Sequence, residues 1–298
     1  MNYLVYILAY PFLWLFSRIP FALFYIFSDF MYYLLYYVVG YRKRTVRKNL
    51  ELAFPNLNKE ERLEIEKKSF RHLCDTFLEM AKTISLPEKE MRKRFQFTNL
   101  DYLLELEKEN KSIMLFCAHY ANWEWTIVLG NQINFQGFAV YKKINNPYFD
   151  AFIKRTRSRF NTILIEIKET IRVVRKNEID KKHGVYAFIS DQSPMVSQTN
   201  YWHEFMGIEV PVYTGGEALV KKYDITPLYL KVEYVSRGHY KATFVPLLNE
   251  DEVLKEIPNY EITNRFLKEV EKQLIEAPEY YFWTHKRWKH RGKKPKNL

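Results

Sequence analysis

Glycine is scarce in this sequence, with 9 among 298 residues. No two glycines have a single residue between them, so G-x-G-x-x-G, a Walker loop and the G-x-S-x-G elbow are absent. The common dinucleotide, nucleotide and serine-hydrolase signatures go with them. Cysteine is rarer still. Cys74 and Cys117 stand 43 positions apart, which makes neither a disulfide framework nor a structural zinc spacing and fits a reducing, cytosol-facing compartment. Acidic residues are missing from two stretches: residues 42–48 carry five basic groups, and residues 286–296 carry seven. The formal net charge is +11, so the rest of the chain is close to neutral. The imbalance points to particular anionic surfaces and not to a protein-wide positive field.

Aromatic residues, in contrast, abound. With 23 Tyr, 22 Phe and 6 Trp they make up 17% of the chain, which predicts a surface that meets lipid or another apolar partner. Residues 1–39 hold only two charges, Arg18 and Asp29, and residues 19–39 are apolar or aromatic at nearly every position. A helix of that length spans a hydrocarbon core of about 30 Å. The stretch is too long and too aromatic for a secretory h-region, and no A-x-A-like cleavage site follows it, so it is expected to persist as an anchor. By the positive-inside rule, the basic cluster after it places the remainder on the cytoplasmic side of the membrane. The competing reading is an interfacial or buried helix pair broken at Pro20, because Asp29 would be costly in mid-span and tyrosines are many. Both readings bind the protein to the membrane, with residues 1–40 as anchor and residues 41–298 as one undivided domain.

Beyond residue 41, helical and strand patterns alternate. Residues 58–84 form a polar run with Leu63, Phe70, Leu73, Phe77 and Met80 at helical spacings, and residues 100–108 a shorter one. Apolar strands are expected at 112–118, 137–141, 162–166 and 185–190, with helices from Asn122, over 147–160 and from 169. An antiparallel hairpin follows, with arms 227–235 and 239–248, and then a last helix over 260–275. The fold class is therefore α/β: a mixed, largely parallel sheet flanked by helices, whose chemistry sits at the carboxyl ends of the strands.

The sharpest constellation lies at the end of the first strand. His119 is followed by Tyr-Ala-Asn-Trp-Glu124, so imidazole and carboxylate are five positions apart. On an uninterrupted helix they would face different directions. With His119 on the strand-end loop and Glu124 in the first helical turn, both turn toward one mouth, where a helix terminus favours an anion. Histidine titrates near neutrality, and a carboxylate can fix its tautomer while it takes a proton from a hydroxyl. Spacing alone equally allows a histidine that caps the helix or satisfies a buried carbonyl. H-x4-E is not H-E-x-x-H and no third ligand lies nearby, so no metal is expected. Cys117 lies on the same strand face as His119, but a buried cysteine is ordinary there.

This string resembles the H-x4-D/E motif of glycerolipid acyltransferases, in the H-x-x-N-W-E form of the lipid A biosynthesis acyltransferases, the lauroyl/myristoyl transferase family. Asn146-Pro147 followed by Arg155, Arg157 and Arg159 resembles the family's second block, and Asp191-Gln192 its strand-end aspartate block. Residues 211–217 and the run P-E-Y-Y-F-W-T-H-K-R at 278–287 resemble two further segments. Two departures stand out: Ala121 replaces a usual glycine, and the stretch after Asp191 is less glycine-rich. The resemblance implies a catalytic domain that moves a fatty acyl chain from an acyl carrier protein thioester to a hydroxyl of a lipid A precursor, an anionic membrane lipid. It implies no metal and no redox cofactor. His119 would be the general base and Glu124 its partner. Arg155 or Arg157 would hold phosphate or the oxyanion, and Asp191 and Asn122 would also serve the substrate.

Two rivals remain on sequence grounds. An acyltransferase of the same mechanism could take a lysophospholipid or an aminolipid, since the acceptor is chosen by pocket shape. A membrane-tethered, non-enzymatic binder of anionic ligands would explain the basic ends alone. Nucleic acid is not expected, because the basic residues do not line an aromatic platform.

Overall fold

The structure, a computed structural model, describes residues 2–295; Lys296 of the second basic stretch lies outside them. The chain opens with helix α1 (Asn2–Arg18), and Pro20 then starts α2 (Phe21–Tyr33), which continues as a π-helical turn over Leu34–Val39. Helices α3 (Lys43–Ala53), α4 (Lys59–Lys82) and α5 (Glu88–Arg94) follow. The first turn of α4 carries a reciprocal capping box, in which Asn58 and Glu61 each accept the other's backbone N–H. Then come β1 (Phe95–Phe97), α6 (Leu100–Lys108), β2 (Ile113–Cys117), a 3-10 helix over Trp123–Asn131, and β3 (Gln136–Tyr141). Next are α7 (Pro147–Ser158), β4 (Thr162–Glu166), α8 (Thr170–Ile179) and β5 (Gly184–Ile189). The chain continues through β6 (Trp202–Phe205), β7 (Ile208–Pro211), α9 (Gly215–Tyr223), β8 (Thr226–Ser236), β9 (His239–Pro246) and α10 (Glu261–Glu276).

Seven strands form one sheet in the order β1-β9-β8-β2-β5-β3-β4, parallel at every pairing except the β8/β9 hairpin. Strand β2 is central, and all five of its residues are buried, as its unbroken apolar run requires. Helix α10 covers one face, where Phe266 meets Phe116 and Tyr229. On the other face His72 of α4 and Trp125 pack against Tyr240. The alternation expected from sequence is thus the observed architecture, with β1 an additional edge strand.

After Asp191 the sequence departs from a glycine-rich loop, and a separate hairpin stands there. Strands β6 and β7 pair through Met206-Gly207, both at positive φ, as a tight two-residue turn demands. Elsewhere Gly130 permits a close approach: a Cβ there would lie 2.2 Å from the Phe160 carbonyl oxygen and 2.6 Å from Thr162 Oγ1. We therefore expect Gly130→Ala to cost about 1–3 kcal/mol by overpacking. Gly215→Ala, with nothing within 4 Å, should be close to neutral. Thermal unfolding of the two variants tests this, and equal midpoints would contradict the packing.

Residues 21–39 are long and apolar enough to cross a membrane. They do not stand apart from the domain. α2 and the π-helical turn run antiparallel along α4, joined by Tyr25 Oη to Glu79 (2.7 Å), Ser28 Oγ to Asp75 (2.6 Å) and Tyr36 Oη to Glu66 (2.8 Å). Arg237, at the tip of the β8/β9 hairpin, bridges Asp29 and Asp75 at 2.8 and 2.7 Å. The carboxylate that looked costly in the apolar run is therefore paired. The opposite face exposes Leu23, Ile26, Phe30 and Val38.

Candidate active site

Two strand ends build the site. Cys117 of β2 is in register with Ile189 of the parallel neighbour β5. Two residues beyond each partner stand His119 and Asp191, carried side by side off the carboxyl edge of the sheet. His119 Nδ1 lies 2.7 Å from Asp191 Oδ1. A carboxylate only accepts, so Nδ1 donates and Nε2 keeps its lone pair. That lone pair meets Gln192 Nε2 at 3.2 Å. The imidazole is about one-fifth exposed and the Asp191 side chain almost wholly buried. Burial works to raise the Asp191 carboxyl, yet the facing His119 holds it below its ordinary value.

The ring of His119 is boxed by aromatics: Trp123 edge-on at 5.2 Å and Phe282 stacked at 5.8 Å. The turn after His119 is fixed from several sides. Phe282 N–H donates to the His119 carbonyl (3.1 Å), and Ala121 N–H donates to the Tyr280 carbonyl (2.9 Å). Ala121 itself has φ 49°, the left-handed region that explains why glycine is usual at this position in the resembling family. Asn122 Oδ1 accepts from Trp125 N–H (3.1 Å), and its Nδ2 donates to Glu79 (2.7 Å). Glu79 is wholly buried, and burial raises its carboxyl to about 7 against the pull of Tyr25, Tyr240 and Asn122.

The expected residues are thus redistributed. Glu124, expected to hold His119, instead forms an ion pair with Arg157, both about one-fifth exposed. The carboxylate on the imidazole is that of Asp191, because the 3-10 helix turns Glu124 toward α7. Of the three arginines, Arg157 faces inward and Arg155 is exposed. Arg159 donates to the Thr83 and Leu86 carbonyls at the end of α4 (2.8 and 3.2 Å). Asn122, expected to serve the substrate, caps the 3-10 helix instead and is fully buried with both amide atoms engaged, which leaves no face for substrate. Burial pushes the Cys117 thiol up to about 12, so it is not a nucleophile near neutral pH.

Sequence reasoning missed three contributors. Gln192 was visible only as the neighbour of Asp191. Phe282 lay unmarked within the run at 278–287, beside the buried Trp283. Glu79 is one acid among many on a charged helix. Burial also lowers His285 to about 4, so it is neutral where its Nε2 faces Ser193 N–H at 3.4 Å.

The two basic stretches, far apart in sequence, adjoin in space. Arg42 donates to the Thr284 carbonyl (3.0 Å), and Asn49 donates to the Trp283 and His285 carbonyls (2.8 and 2.7 Å). Arg287 is buried and contributes nothing to the surface charge, whereas Arg44, Lys48, Lys286 and Lys289 are exposed.

Comparison with known proteins accords with this geometry. The family model for bacterial lipid A biosynthesis acyltransferase matches residues 1–290. The chain is 27% identical over 255 residues to the lipid A biosynthesis palmitoleoyltransferase of Escherichia coli K12, covering 84% of this chain and 79% of that protein. It is 23% identical over 289 residues to the lauroyltransferase of the same organism, covering 94% and 89%. A lipid A biosynthesis acyltransferase of Haemophilus influenzae is 24% identical over 245 residues, covering 79% and 72%. With the strand-end histidine in place and the match running almost end to end, this chain belongs to the bacterial lipid A biosynthesis acyltransferase family, and it is an acyltransferase.

Proposed function

We propose that the enzyme transfers a fatty acyl chain from an acyl carrier protein thioester to a hydroxyl of a lipid A precursor, with His119 as general base. The observation that carries this reading is the His119–Asp191 hydrogen bond, which directs the Nε2 lone pair, met here by the Gln192 amide, to take a proton at the edge of the sheet. In the first step the acceptor hydroxyl gives its proton to His119 Nε2 as its oxygen bonds to the thioester carbonyl carbon. The carbonyl oxygen becomes an oxyanion, and Asp191 balances the imidazolium. In the second step the carbonyl re-forms, the carbon–sulfur bond breaks, and His119 returns the proton to the departing thiolate. Gln192 must leave Nε2 before the hydroxyl can bind. Glu124 fixes the Arg157 guanidinium, which supplies positive charge for a phosphate or the oxyanion.

The acidic surface expected of acyl carrier protein suits the joined basic patch around Arg44 and Lys286. The test of substrate is a mass-spectrometric comparison of lipids from cells with the wild-type protein, without it, and with the His119→Ala form. Lipid A short of one acyl chain in both deficient strains is expected. A different underacylated lipid would reject the acceptor and keep the mechanism, and unchanged lipids would reject both.

We further propose that the enzyme lies at the cytoplasmic face of the inner membrane, with α2 in the membrane plane instead of crossing it. The polar seam to α4 supports this, since α4 exposes Glu60, Glu64, Lys67, Lys68 and Arg71 beside the apolar helix. Those charges cannot enter hydrocarbon alongside it. Cysteines introduced as Arg18→Cys and Arg44→Cys should therefore react with an impermeant maleimide from the same, cytoplasmic, side. Reaction from opposite sides would establish a spanning helix.

A further inference from the structure

We propose that Glu79 is a positioning residue, which ties the docked N-terminal helix to the turn that carries His119 and Glu124. The proposal rests on the reading of that turn as catalytic. Glu79 lies on α4 with no exposed surface, and it receives donors from three other parts of the fold. Tyr25 Oη of α2 donates to Oε1 at 2.7 Å. Tyr240 Oη of β9 and Asn122 Nδ2 both donate to Oε2, at 2.8 and 2.7 Å. The Glu79 carbonyl also accepts from Trp125 Nε1 at 3.2 Å.

The Asn122 NH2 can only donate, so glutamine must keep its carbonyl on that side and turn its NH2 to Tyr25 Oη, which has to reverse from donor to acceptor, while the charge on the oxygen shared by Asn122 and Tyr240 is lost. Asn122 transmits the effect. While its Nδ2 is held by Glu79, its Oδ1 caps Trp125 N–H and sets the start of the 3-10 helix on which Glu124 rides. His119 is three residues upstream on the same rigid turn. Tyr25 reaches the other oxygen from the apolar helix, so the seating of that helix and the alignment of the turn share one side chain. The Glu79 side chain acts on the turn through Asn122, while its carbonyl, which a side-chain substitution leaves in place, holds Trp125.

The test uses the full-length protein in mixed micelles, with lauroyl-acyl carrier protein and a tetra-acylated lipid A precursor as probes. Glu79→Gln is expected to lower kcat about tenfold or more, the rate equivalent of one hydrogen bond to a charged group, with both KM values within about twofold of wild type. Tyr25→Phe removes a single donor and is the gentler variant, expected to lower kcat about threefold without loss of folded protein. A second readout needs no substrate: the rate at which diethyl pyrocarbonate modifies His119, followed by mass spectrometry. Loosening the turn should raise that rate several-fold in Glu79→Gln and less in Tyr25→Phe. Wild-type kcat and an unchanged modification rate in folded variants would overturn the proposal, as would a change confined to KM. If the wild-type protein does not turn over these probes, the acceptor or donor assignment fails, and the modification rates alone decide the role of Glu79.

Discussion

Replacing His119 with alanine is expected to reduce turnover at least about a hundredfold, the lower range for losing a general base. The groups beside it do not substitute. Gln192, the group at Nε2, is not basic, and the Cys117 thiol is buried and protonated. Alanine would also strip the buried Asp191 of its partner, and such a loss can cost about 1–3 kcal/mol in its own right. His119→Gln therefore belongs beside it, since the amide can still donate toward Asp191 while taking no proton. Both variants should lose activity together, whereas their unfolding midpoints should separate. The measurement is acyl transfer at saturating donor, with circular dichroism as the folding control. A folded His119→Gln enzyme at wild-type rate would end the general-base mechanism.

The second large effect is expected at Asp191. Asp191→Asn keeps the shape of the side chain and removes its charge. If the new NH2 faces Nδ1, the imidazole must place its own proton on Nε2, where the acceptor hydroxyl needs a lone pair. Loss of the orienting carboxylate in a histidine-based transfer costs about 10²–10⁴ in kcat by analogy with the serine hydrolases. Glu124→Gln should behave differently. It releases Arg157 from its ion pair and should act more on binding of an anionic substrate, raising KM by more than it lowers kcat. The split between kcat and KM separates the two. If Glu124→Gln lowered kcat as far as Asp191→Asn and left KM unchanged, the pairing drawn from the strand register would be wrong.

Much of the fold could be read directly. Helix α6 falls on the expected residues 100–108, and strand β4 on 162–166, because in both the apolar period and the flanking turn residues agree. His119 was legible as a candidate because an unbroken apolar strand delivers it to a sheet edge. Its partner was not. Glu124 is five positions away and Asp191 is 72, and a local spacing argument favours the near acid. Only the strand order brings β5 beside β2, and no periodicity in a single sequence encodes which parallel strands are neighbours. The same limit hid Glu79, whose three partners come from α2, β9 and the turn after His119. The docking of residues 21–39 was one of three readings and stayed undecided for another reason. Hydropathy averages around a helix, and Tyr25, Ser28 and Asp29 form a polar stripe too narrow to lower that average.

The seam between the apolar helix and the domain also dictates an order of assembly. Asp29 meets Arg237 across 208 residues of chain, and Arg42 meets the Thr284 carbonyl across 242. At ribosomal speeds of about 5–20 residues per second, Asp29 is made some ten to forty seconds before Arg237. Its bonds to α4 need far less chain, since Tyr25 meets Glu79 across 54 residues and Ser28 meets Asp75 across 47. The helix can therefore be seated on α4 well before its ion pair is complete, and that pair closes only when the β8/β9 hairpin delivers its arginine.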